Sequence, residues 1–75
     1  EEQEEEPDYK VEEIKAAISL LPDGYRAILS LYLFEGYDHE EIGEIMKIES
    51  STSRSQYLRA KKKLIEIIKN KEYVG

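Results

Sequence analysis

Apolar residues recur at helical spacing through most of the chain. Val11, Ile14, Ala17, Ile18 and Leu21 fall three or four residues apart, as along one face of an α-helix. Asp8, just after Pro7, is an acceptable N-cap for this helix. Pro22-Asp23-Gly24 ends it, because proline disfavours helical backbone at Leu21 and glycine allows a tight turn. A second helix is predicted over about 23–35, with Tyr25, Ile28, Leu29, Tyr32 and Leu33 as its stripe and Gly36 as its stop. A third, short helix spans about 38–46. Asp38 is its N-cap, Glu41 completes a capping-box pair, and Ile42, Ile45 and Met46 form its apolar face. Lys47-Ile48-Glu49 makes a three-residue turn, and Ser50 or Ser51 then caps a fourth helix reaching about Asn70. At about 1.5 Å per residue that helix is roughly 30 Å long. No segment sustains a period of two, so no strand is expected. The pattern predicts an all-α, four-helix domain with a C-terminal helix-turn-helix, winged-helix-like but without a wing.

Outside this pattern lies the N-terminus. Glu1 to Asp8 contain no apolar residue except Pro7 and cannot bury surface. They read as an acidic disordered linker or tail, leaving 9–75 as the domain. A start at Glu1 rather than Met suggests an excised fragment. With no Cys, disulfide frameworks and zinc fingers are excluded. No apolar run approaches the ~20 residues of a membrane span, and a Glu-rich start is the opposite of a signal peptide's basic n-region. The expected location is cytoplasmic, with no membrane partner.

The net charge of −6 argues at first against nucleic acid. It is unevenly distributed, however. Residues 1–13 hold eight acids and one Lys, whereas residues 50–71 hold seven bases and one acid. The C-terminal macrodipole accounts for Lys69 and Lys71, but not for Arg54 and Arg59 in the first half of the last helix.

Successive helical residues turn by about 100°. With Tyr57 as the reference direction, Ser53, Ala60, Leu64 and Ile68 lie within roughly 60° of it and form a core-facing stripe. Ser55, Arg59 and Lys62 fall near the opposite side, flanked by Ser51, Thr52 and Lys63. A major groove admits one α-helix and offers base edges to such donors and acceptors. Arg54 and Arg59 suit guanine, and Gln56 suits adenine. Ser51, Thr52, Lys62 and Lys63 suit phosphates, and Ser55 is a further groove candidate. A short capped helix, a three-residue turn and a longer helix with a polar outer face form a helix-turn-helix, whose second helix enters the groove. Ile42, Ile45, Ile48 and Tyr57 are the apolar contacts expected to fix the helix crossing.

Three runs then carry a resemblance. Leu21-Pro22-Asp23-Gly24-Tyr25-Arg26 opens a helix, Glu35 to Met46 contains Gly36-Tyr37-Asp38 and Glu41-Ile42-Gly43, and Thr52 to Leu64 contains Arg54-Ser55 and Arg59-Ala60. Together they resemble region 4 of bacterial extracytoplasmic-function RNA polymerase sigma factors, over about residues 11–68. The resemblance implies a domain that docks on the flap of the polymerase β subunit, reads double-stranded promoter DNA at the −35 element with its last helix, and in many members binds an anti-sigma factor. Here Ser53 replaces a usual Val in the core stripe, Tyr57 replaces a usual Leu, Gln56 stands where Arg or His is commoner, and Glu49 stands where a Ser often caps.

Little else suggests chemistry. His39, beside Glu40, Glu41 and Glu44, is poor material for a metal or acid–base site, which needs converging ligands. No phosphate loop or nucleophilic triad is present. No enzyme activity, catalytic residue, metal or cofactor is expected. Tyr25, Tyr32 and Tyr57 are expected in the core, with Tyr37 at a turn, while Leu31, Leu33, Phe34 and Leu58 exceed one stripe and suit a partner-binding patch. Two alternatives accompany the sigma reading: a response-regulator-type helix-turn-helix, and a helical protein-interaction module with Arg54 and Arg59 tied into internal salt bridges.

Overall fold

The computed structural model describes residues 10–70, so the expected Asp8 cap and the 1–8 tail lie outside the described residues. Within them the chain is helical, without strands. Helix α1 spans Val11–Ile18. The Lys10 amide donates to the Glu13 carboxylate, and the Lys10 carbonyl receives the Ile14 amide. The helix ends three residues before Leu21, because the amides of Leu20 and Leu21 bond to Ala17 and Ile18 in tighter turns.

Helix α2 covers Asp23–Leu29, with Pro22 at its N-cap. Its first turn is closed by an ion pair from Arg26 to Asp23. From Leu29 the chain passes directly into a π-helix, Ser30–Phe34, where the Glu35 amide reaches back to Ser30. The extra residue in that turn rotates the side chains that follow. Tyr32 and Leu33, expected on the core stripe, are consequently exposed, as is Phe34, while Leu31 packs on the core.

Helix α3 spans His39–Met46. Its capping box forms as the spacing predicts: the Asp38 carboxylate accepts from the Glu41 amide and the Glu41 carboxylate from the Asp38 amide, both at 2.9 Å. Lys47 adopts the left-handed conformation with φ of 61°, reversing the chain within one residue. Helix α4 spans Ser50–Asn70. Ser50 is already helical, and the Glu49 carbonyl receives the Ser53 amide. Glu49, not Ser50 or Ser51, therefore occupies the cap position.

Gly43 fixes how closely α3 approaches this turn. It is buried, and a Cβ there would stand 2.7 Å from the Ile48 carbonyl oxygen. Ile45, expected at the crossing, is about half exposed; of the other expected crossing contacts, Ile42 is buried and Ile48 and Tyr57 pack beside the core. Val11 is also exposed.

The core gathers Ala17 and Ile18 from α1, Leu21, Ile28 and Leu29 from the α2 region, Ile42 from α3, and Ala60, Leu64, Ile67 and Ile68 from α4. Helix α4 packs against α1, α2 and α3. Among the described residues no helix is long and apolar enough to cross a membrane, and no group of His, Asp and Glu is placed to hold a metal ion.

Candidate nucleic-acid interface

Burial divides α4 along its length. Ser53, Ala60, Leu64 and Ile68 of the expected stripe are buried and Tyr57 is half-buried; Ile67, outside that stripe, is buried as well. Ser51, Arg54, Ser55, Arg59, Lys62 and Lys63 are exposed. Ser51, Ser55, Arg59 and Lys62 recur at intervals of four, four and three, and so line up along the outer side of the helix.

The other proposed contacts sit on the margins of that line. Arg54 lies on one flank, near the exposed Leu58. Thr52 and Gln56 lie on the opposite flank, half-buried, where they line a cleft with Gly24, Ile28, Met46 and Ile48. At about 100° per residue, Arg54 and Gln56 are separated by roughly 160° around the axis when taken the shorter way. The structure therefore brings Ser51, Ser55, Arg59 and Lys62 together, but sets Arg54 and Gln56 on opposite edges. A groove-bound helix meets bases with its centre and groove walls with its edges.

The positive charge on this face is available. Among the described residues Arg54, Arg59 and Lys62 make no ion pair; Lys63 stands 3.9 Å from Glu66. The first amides of α4, at Ser50, Ser51 and Thr52, precede the first amide that donates back along the helix, that of Ser53 to the Glu49 carbonyl, and supply partial positive charge at the same end.

Beneath this face is a polar and aromatic cluster that the sequence reading did not assemble. His39 Nδ1 shares a 2.8 Å hydrogen bond with the Ser53 hydroxyl. The imidazole stacks on Tyr32 from the π-helix, with ring centroids 4.8 Å apart and planes at 17°. Tyr57 completes the group, 4.5 Å from Tyr32 and 5.5 Å from His39. One signal for it was present: a hydroxyl in a core stripe requires a partner, and Ser53 has no exposed surface.

No curated protein and no solved structure matches the chain. The family model described as sigma-70, region 4 matches residues 11–64, from the start of α1 to past the middle of α4. That span takes in the helix-turn-helix and the whole charged face from Ser51 to Lys63, and the chain belongs to the sigma-70 region 4 family.

Proposed function

We propose that this domain reads the −35 element of a promoter as the C-terminal DNA-binding module of a sigma factor held on RNA polymerase. Promoter −35 binding in transcription initiation is the role of the family; the sequence-specific contacts proposed here are particular to this chain. The observation that carries the reading is the exposed, unpaired state of Arg54, Arg59 and Lys62 on a helix whose other side is buried. Arg59 and Arg54 address base edges from the centre and one edge of the face, with Ser55 beside them. Gln56 addresses the opposite edge, and Ser51, Thr52, Lys62 and Lys63 hold phosphates.

The polymerase contact has its own support. Leu33 and Phe34, at 42% and 41% exposure, stand on the π-helix, with the Lys15 ammonium 5.4 Å from the centre of the Phe34 ring. They suit an apolar element such as the β-subunit flap. The module acts by binding, not by bond chemistry. A purely protein-binding role is disfavoured because, among the described residues, Arg54 and Arg59 are not tied into salt bridges, and the family match disfavours the response-regulator alternative. Selection of bound duplexes from a random pool tests the reading: a recovered consensus of a few base pairs supports it, and recovery of no preferred sequence contradicts it.

A further inference from the structure

In the part of α4 proposed to enter the groove, full burial is confined to one residue. Between Ser50 and Tyr57 the only fully buried residue is Ser53; the next buried positions, Ala60 and Leu64, lie further along the helix. Thr52, Gln56 and Tyr57 are half-buried. Ser53, immediately before Arg54, is thus the one fully buried anchor of the first two turns, with Thr52, Gln56 and Tyr57 packed around it.

That side chain is held by a directed bond. The Ser53 hydroxyl and His39 Nδ1 are 2.8 Å apart. The imidazole is itself fixed, stacked at 17° on Tyr32 and tilted against Tyr57. Four residues from the π-helix, α3 and α4 form one brace. An apolar side chain at position 53 would pack without a preferred direction, whereas a hydrogen bond weakens as its angle departs from linear. Recognition needs its groups held within about 0.5 Å and 10–20°, and a long Arg side chain amplifies any rotation of the helix beneath it.

We propose that the His39–Ser53 bond, braced by Tyr32 and Tyr57, is the positioning element that sets the rotation of the first turns of α4 and thereby the base preference of the domain. This rests on the reading of α4 as the groove helix. His39 and Ser53 touch no DNA in this account. They act through Arg54 and Ser55.

The test compares the 75-residue protein with His39→Phe, Ser53→Ala and the double variant. Each is titrated with the best-bound duplex, with its single-base-pair variants and across salt, and each is melted. His39→Phe keeps a stacking ring but leaves the buried Ser53 hydroxyl without its partner, which costs stability. Ser53→Ala leaves no such orphan, since the half-buried His39 can bond to water. Both single variants are expected to lose about tenfold in affinity for the best duplex, to discriminate less among its base-pair variants, and to keep the wild-type salt slope. The double variant regains the melting temperature lost by His39→Phe, yet keeps the altered base preference. If binding recovers in step with melting temperature, or if Ser53→Ala retains wild-type discrimination, the pair is structural only and the proposal is overturned. A wild-type protein that binds no duplex overturns both this inference and the reading beneath it.

Discussion

On α4, Ser53, Ala60, Leu64, Ile67 and Ile68 are buried against the other helices, whereas Ser51, Arg54, Ser55, Arg59 and Lys62 on the same helix are exposed. The buried set joins α1, α2 and α3 into one core. The exposed set makes no ion pair with the rest of the described molecule. Side chains at 3.6-residue spacing can thus be assigned separately to fold and to ligand, though they share one backbone. The separation is not complete: Ser53 belongs to the buried side but is polar, and its partner His39 comes from the neighbouring helix of the motif.

The largest effect should come from the buried side. Leu64→Ala is expected to cost about 2–5 kcal/mol in urea unfolding. A core of this size rarely supplies more than about 3–5 kcal/mol in total, so this variant should be largely unfolded. Retention of a cooperative transition near the wild-type midpoint would show that α4 does not organise the core. Next comes Arg59→Ala. Its melting temperature should be nearly unchanged, with a stability change within about 0.5 kcal/mol, while affinity for the preferred duplex falls by about 1–3 kcal/mol and specificity relaxes at one position. Lost helicity in circular dichroism would instead move Arg59 to the structural side. The smallest effect is expected from Lys62→Ala, which should weaken all duplexes about equally and reduce the salt slope by about 1. A sequence-dependent loss would make Lys62 a base-reading residue.

How far the sequence revealed this division depended on the range of the interactions. The Asp38–Glu41 capping box is a local bond across three residues, and it forms where the spacing places it. The buried stripe of α4 follows from helical geometry alone, and four of its five assigned positions are fully buried, with Tyr57 half-buried. The π-helix at Ser30–Phe34 was not legible, because a 100° period assumes regular α-helical turns. That single departure carries Tyr32 and Leu33 off the expected core face and brings Tyr32 onto His39. The His39–Ser53 bond spans fourteen residues and depends on how α3 crosses α4. Neither residue alone signals the other. The close approach at Gly43 likewise depends on Lys47 turning left-handed, which a lysine does not announce.

If this acidic chain carries a DNA-binding face on one helix, duplex binding by the intact protein must depend steeply on salt. The formal charge of −6 would predict repulsion, whereas counterion release by Arg54, Arg59, Lys62 and Lys63 predicts a log–log slope of roughly −3 to −4. A slope in that range for the selected duplex shows that α4 carries the DNA contact. A flat response, or no binding to the duplex at low salt, would contradict it.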